Sequence, residues 1–148
     1  MHRNIFAHDL VDESNVDSLA GMDFVFVAID GGESRKFVTD KLAYFETPFI
    51  DVGMGIDERE ASLFGTLRVM LSTDVSRDRI MSILPLSVTD NAGVYSTNIQ
   101  VADLNALNAA LAVIKWKKFM CFYADLGNEH SIYYQIPGNS VANEDKMN

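Results

Sequence analysis

The chain contains very little cysteine: Cys121 is the only one in 148 residues. A single cysteine cannot form an internal disulfide, which favours a reducing compartment, so we expect a cytoplasmic protein. The three histidines, His2, His8 and His130, are scattered through the sequence without the spacing of metal ligands, and we therefore expect no zinc.

Positive charge and long apolar runs are also scarce. The chain has 12 Lys and Arg against 21 Asp and Glu, and its net charge is -9. Non-specific binding to nucleic acid or to an anionic membrane needs clustered Lys and Arg, so we expect neither as a partner. No stretch of about 18 apolar residues occurs, and the start, MHRNIFAHDLVDES, lacks the apolar segment of a signal peptide. We therefore expect neither a transmembrane helix nor a leader.

Hydrophobic residues are present in ordinary amount. They make up 48% of the chain and charged residues 22%, as is typical of a globular core. We expect one α/β domain over residues 1–136 and a polar, flexible tail over residues 137–148.

The first half of the chain predicts a strand, a helix and a second strand. Residues 23–29 predict a strand, since Asp23 is followed by a continuous apolar run, which is typical of a strand buried on both faces in a parallel sheet. Residues 33–45 have apolar side chains at helical spacing, and residues 49–52 form a second apolar strand that Gly53-Met-Gly55 ends. This order predicts a right-handed crossover and a partial Rossmann-like fold, with a mainly parallel or mixed sheet.

The second half predicts further elements. In residues 63–71 apolar residues alternate with others, as in a strand with one solvent-exposed face, and residues 77–84 predict a short helix. Residues 97–117 predict a long helix that is so apolar that it is buried or faces a partner chain. Two more strands are predicted over residues 120–124 and 130–136.

The candidate site is Asp30 and the loop that follows it. An acid at the carboxyl end of a buried parallel strand points into the crevice where such sheets bind ligands, and it can hold Mg²⁺ on a nucleotide. Gly31 and Gly32 let backbone approach a phosphate, and a helix that begins near Ser34 favours anions at its N-terminus. The alternative is that Asp30 only caps the helix.

Three segments of the chain resemble the ThiF/MoeB/HesA family of E1-like activating enzymes. In DFVFVAID, residues 23–30, followed by Arg35, a buried strand ends in an Asp with an Arg five residues later, as in the family. TPFIDVGMG, residues 47–55, resembles the next family strand and its glycine turn. Residues 95–115 resemble the late helix that closes the fold and often contributes to dimer packing. The matches follow the family's order over residues 4–118.

The resemblance implies an adenylyltransferase. Such an enzyme uses Mg²⁺–ATP to activate the C-terminal carboxylate of a ubiquitin-like or sulfur-carrier protein. The resemblance makes Asp30 and Arg35 the catalytic candidates. It makes Asp30, Gly31, Gly32 and Ser34 the cofactor-binding candidates, with Asp30 as the Mg²⁺ contact through ATP.

The chain also departs from the family pattern. It has no G-x-G-x-x-G phosphate loop, none of the basic residues that accompany it, and no CxxC pairs for zinc. We therefore expect a family fragment that is inactive alone and is completed by self-association or by another chain. The alternative is a non-catalytic protein-interaction module derived from the same fold. For Cys121, a thioester-forming role is weighed against inert packing in an apolar strand, and packing is favoured.

Overall fold

The computed structural model describes residues 7–8, 10–86 and 101–144. Within these described residues, a short 3₁₀ helix precedes five strands and three α-helices. In chain order they are the 3₁₀ helix Val16–Gly21, β1 Val25–Val27, α1 Gly32–Tyr44, β2 Phe49–Arg59, β3 Ser62–Ser72, α2 Arg77–Ile83, α3 Ala102–Phe119, β4 Ser131–Gln135 and β5 Ser140–Glu144. Among the described residues, no helix has the length and apolar character needed to cross a membrane.

The five strands form one mixed sheet in the order β1-β2-β3-β4-β5. Only β1 and β2 are parallel, with Val25 opposite Phe49 and Val27 opposite Asp51. The other three pairs are antiparallel neighbours. The predicted α/β class with a mixed sheet is therefore confirmed, but among the described strands parallel pairing is confined to β1 and β2.

Helices cover both faces of the sheet. One core cluster joins β1, β2 and β3 to α1 and α2, and it includes Val27, Leu42, Phe49 and Ile80. The second cluster packs α3 on the opposite face through residues such as Ala112 and the partly buried Trp116. Neighbouring residues of a strand point to opposite faces, so β2 contributes to both clusters.

The first strand is shorter and more exposed than its apolar sequence predicts. Only Val25–Val27 pairs with β2, and among the described strands β1 lies at the edge of the sheet. Val27 is buried, but Phe26 is 45% exposed and packs against Trp116 at a ring-centroid distance of 6.1 Å. The prediction of a strand buried on both faces is thus wrong for Phe26, because α3 covers its face only in part, through Trp116.

The glycines at 53 and 55 do not end β2. The strand runs from Phe49 to Arg59 and pairs with β3 at every position. Eleven paired residues stabilise it more than two glycines weaken it, and glycine in a strand often marks the close approach of another group. The helices predicted over residues 33–45 and 77–84 are confirmed within a residue at each end.

The region after α3 differs from its prediction. Residues 120–124 form turns and bends rather than a strand, and Cys121 is exposed with a φ of 57°. Residues 140–144 of the predicted flexible tail pair with β4 as β5. The predicted helix start at residues 97–100 lies outside the described residues, and α3 is buried on one face only.

Candidate functional site

A cavity of about 170 Å³ lies at the carboxyl end of β1. Pairing of β1 with β2 stops at Val27 opposite Asp51, while β2 continues for eight more residues. The gap beside β2 is closed by the loop that leaves β1 and by α3 on the other side. The lining residues are Ala28, Ile29, Asp30, Arg35, Val52, Gly53, Met54, Asn105 and Asn108.

Asp30 lines this cavity, and α1 begins directly after it. The N-cap of α1 is Gly31, and Asp30 precedes it by one residue. The first N–H groups of a helix have no partner within the helix and favour an anion. A Cβ on Gly31 would meet only the Ser34 Oγ, at 3.9 Å, so there is space above Gly31.

A buried carboxylate holds two arginines behind the cavity. Asp51 is 0% exposed, and its Oδ2 accepts a hydrogen bond of 2.9 Å from Arg68 Nη2. Its Oδ1 lies 3.4 Å from Arg35 Nε. The Arg35 guanidinium also donates from Nε and Nη2 to the backbone carbonyl of Ile29. Arg35 therefore joins the buried acid on β2 to the residue that precedes Asp30.

Gly53 makes room for this arrangement. A Cβ at Gly53 would collide with the guanidinium group of Arg68, which lies opposite it on β3. Absence of a side chain at this position allows Arg68 to cross the strand and reach Asp51. The glycine is therefore explained by a close side-chain approach and not by a turn.

Asn108 reaches the cavity from α3. It is 3% exposed, and its Nδ2 donates a 2.9 Å hydrogen bond to the carbonyl of Gly53. This bond orients the amide and satisfies a carbonyl that lies beyond the end of β1. The Asn108 Oδ1 is buried without a hydrogen-bond partner. An acceptor in this state costs about 1–3 kcal/mol, which a donor on a bound ligand would offset.

A second, larger groove of about 670 Å³ lies at the C-terminal end of α3. Lys115 is 1% exposed, and its Nζ donates to the backbone carbonyl of Glu129 and lies 3.5 Å from Asp125 Oδ2. Lys118 Nζ is 2.9 Å from Glu129 Oε1. These four groups pair with one another and attach the end of α3 to the segment before β4. Cys121 lines the groove and is exposed.

The ion pairs of the groove shift pKa values in different directions. Burial lowers the pKa of Lys115 despite the attraction of Glu129 and Asp125. A hydrogen bond to Glu129 raises the pKa of Lys118. Burial alone would raise the pKa of the Asp125 carboxyl, but Lys115 and Lys118 outweigh it and lower the value. The charges thus serve mainly to neutralise one another.

The structure brings Asp30 and Arg35 to one cavity and places Gly31, Gly32 and Ser34 at the adjoining helix start. Sequence reasoning missed the roles of Asp51, Arg68 and Asn108. An acid flanked by Ile50 and Val52 in an apolar strand was an available signal for Asp51, since such a charge is buried only with partners. That signal does not identify the partner.

No protein-family model matches the chain, and no curated protein is detectably similar to it. Within residues 10–86 and 101–144, no group of three or more His, Cys, Asp or Glu side chains is arranged to hold a metal ion.

Proposed function

We propose that the cavity beside Asp30 is one wall of a Mg²⁺–ATP site in a fragment of an E1-like adenylyltransferase. The substrate of such an enzyme is the C-terminal carboxylate of a ubiquitin-like or sulfur-carrier protein. The chain does not catalyse adenylation alone and needs a complementing chain or a second copy. The observation that carries the proposal is the position of Asp30 in a cavity at the carboxyl end of the parallel strand β1.

The position of the cavity and the polar groups around it support nucleotide binding. Ligands of open α/β sheets bind in the crevice outside the carboxyl ends of the parallel strands. There the Asp30 carboxylate suits Mg²⁺, which prefers oxygen ligands, and the N-terminal end of α1 suits a phosphate. The unpartnered Asn108 Oδ1 adds an acceptor for a donor group of the ligand. Arg35 fixes the loop from behind, so its role is to position Asp30 rather than to bind phosphate.

Charge and size support an incomplete site. Among the described residues that line the cavity, Arg35 is the only cation, and it already pairs with Asp51. Phosphoryl chemistry depends on neutralising the negative charge of the phosphates. A cavity of about 170 Å³ also encloses only part of a nucleotide. These residues therefore provide Mg²⁺ contact and orientation, and the cationic walls have to come from elsewhere.

Titration with Mg²⁺–ATP, followed by the backbone NMR signals of the chain, tests the proposal. We expect weak binding at millimolar ligand, with the largest shifts at residues 28–35, and loss of these shifts in Asp30→Asn. Asp23→Asn is the matched control, because Asp23 is an exposed acid before the same strand and does not line the cavity. The control should bind as the unmodified chain does.

Two results would overturn parts of the proposal. Shifts that are absent from residues 28–35, or that persist unchanged in Asp30→Asn, would remove the nucleotide site. ATP–pyrophosphate exchange by this chain alone, lost in Asp30→Asn, would show a complete site and contradict the fragment. Exchange that appears only when a complementing chain is added would support both parts.

A non-catalytic protein-interaction module is the second candidate. One observation favours it: apolar residues of α3 face outward, with Val113 42% and Ile114 43% exposed. Such a module would bind a protein on α3 and show no nucleotide-dependent shifts around Asp30.

A further inference from the structure

The groove at the C-terminal end of α3 contains a lysine that is almost completely withdrawn from water. The side chain of Lys115 is 1% exposed, yet it is one of the residues that line this groove of about 670 Å³. Small-molecule sites in proteins usually have volumes of roughly 300–1,000 Å³. A ligand in the groove therefore lies against a lysine that bulk solvent scarcely touches.

The wall of the groove suits a ligand with an apolar body. Aliphatic and aromatic side chains form much of it, namely those of Leu71, Val75, Phe119, Tyr123 and Ala124. The two lysines in the lining, Lys115 and Lys118, already contact the carboxylates of Asp125 and Glu129. An anion such as phosphate would have to compete with these carboxylates, so the groove favours an uncharged ligand.

Two features of the groove make the Lys115 amine a nucleophile. It is buried, and a second lysine shares its carboxylates: the Nζ atoms of Lys115 and Lys118 lie 3.5 and 3.6 Å from the two oxygens of Asp125. Removal from water and a neighbouring cation both disfavour the ammonium form of a lysine. Burial lowers the pKa of Lys115, whereas a hydrogen bond to Glu129 raises the pKa of Lys118. Of the two lysines, Lys115 is therefore the one that reacts.

We propose that Lys115 binds an aldehyde with an apolar body in this groove, covalently, as an iminium ion. The ammonium group passes a proton to Asp125, and the free amine attacks the carbonyl carbon to form the C–N bond. The carbonyl oxygen takes up the N–H proton, and the resulting hydroxyl leaves as water with the proton from Asp125. Overall, an ammonium ion and an aldehyde give an iminium ion and water, with no oxidant or reductant.

The ion pairs of the groove fit the product as well as the free lysine. The iminium ion keeps the positive charge of Lys115, so Asp125 and Glu129 remain neutralised and no buried charge is left without a partner. Its one N–H can donate to the backbone carbonyl of Glu129, which Lys115 contacts already. The groove shares no lining residue with the cavity beside Asp30, so the inference is independent of the proposed nucleotide site.

Reductive trapping on the full chain tests the inference. With 4-fluorobenzaldehyde at neutral pH, cyanoborohydride reduces each iminium ion to a stable secondary amine, and peptide mass spectrometry gives the labelling rate of each lysine. Lys115 should be labelled about tenfold faster than Lys36, at a rate that saturates as the aldehyde concentration rises. Lys36 is the matched lysine, because it also pairs with a carboxylate, that of Asp40, but its side chain is 53% exposed. A buried lysine with a structural role alone would be labelled more slowly than Lys36.

A substitution that fills the groove tests where the aldehyde binds. Ala124 is exposed and lines the groove, so Ala124→Trp should slow the labelling of Lys115 about tenfold and leave Lys36 unchanged. Ala106→Trp is the matched control, because Ala106 is an exposed alanine of α3 that does not line the groove. It should label as the unmodified chain does. Circular dichroism checks that both variants are folded.

Four outcomes would overturn the inference. Labelling of Lys115 that is slower than that of Lys36 would leave it a structural lysine. Faster labelling of Lys118 would assign the reaction to the wrong residue. A rate at Lys115 that rises linearly with aldehyde concentration would show that no ligand binds before the reaction. Unchanged labelling of Lys115 in Ala124→Trp would show that the aldehyde does not enter the groove.

Discussion

The buried carboxylate of Asp51 provides the sharpest test of how the cavity is held together. Asp51→Asn keeps the shape of the side chain but removes the charge that neutralises Arg35 and Arg68. The side chains of those arginines are only 12% and 17% exposed. Loss of one partner of a buried ion pair costs about 3–5 kcal/mol because the remaining charge is left uncompensated.

The partial exposure of both guanidinium groups allows some rehydration, so we expect the lower end, about 3 kcal/mol. Urea unfolding of a single domain of this size is treated as two-state, with a slope of about 2 kcal/mol/M. The midpoint should therefore fall by about 1.5 M. Asp40→Asn makes the same chemical change in an exposed ion pair. The side chain of Asp40 is 47% exposed, and that of its partner Lys36 is 53% exposed. This substitution should lower the free energy of unfolding by about 0.5 kcal/mol or less.

A second comparison separates the charge from the packing. Adding Arg68→Met to Asp51→Asn removes one of the two uncompensated cations, so the double variant should recover part of the lost stability. Equal midpoints for Asp51→Asn and Asp40→Asn would refute the reasoning. A double variant that is less stable by the sum of the single effects would show that the two groups act independently.

Two further predictions concern β2 and the groove at the end of α3. Gly53→Ala should lower stability by about 1–3 kcal/mol, because its Cβ displaces the Arg68 guanidinium from its buried carboxylate. Gly55→Ala, whose Cβ meets no atom within 4 Å, should be neutral or stabilising in the same denaturant assay, and equal losses would contradict the explanation. The lowered pKa of Asp125 means that its carboxylate contributes stability above pH 3.8, which is lost as the pH falls through the folded-state pKa. The unmodified chain should thus be more stable than Asp125→Asn near pH 6, and the difference in stability should shrink as the pH falls below 3.8 through the folded-state pKa. A difference that stays constant throughout the acid titration would disprove the role of this charge.

Local sequence determined the elements whose signals lie within a few residues of one another. Residues 33–45 have apolar side chains at helical spacing, and α1 forms there because that spacing puts them on one face against the sheet. The apolar runs before Asp30 and after Pro48 likewise become the parallel pair β1 and β2. The position of Asp30 at the carboxyl end of a strand, beside the start of a helix, follows directly from this order.

Tertiary structure decided which strand is at an edge, how far β2 extends and what surrounds the cavity. In the sequence, Gly53 and Gly55 predict the end of the strand, but pairing with β3 keeps both residues within β2. The bond from Asn108 to Gly53 spans 55 residues, and that from Arg68 to Asp51 spans 17. Such contacts depend on strand register and on the helix that packs above it, which no local pattern encodes. The sequence alone thus determined where the acid of the candidate site lies, whereas the fold determined the groups that hold it there.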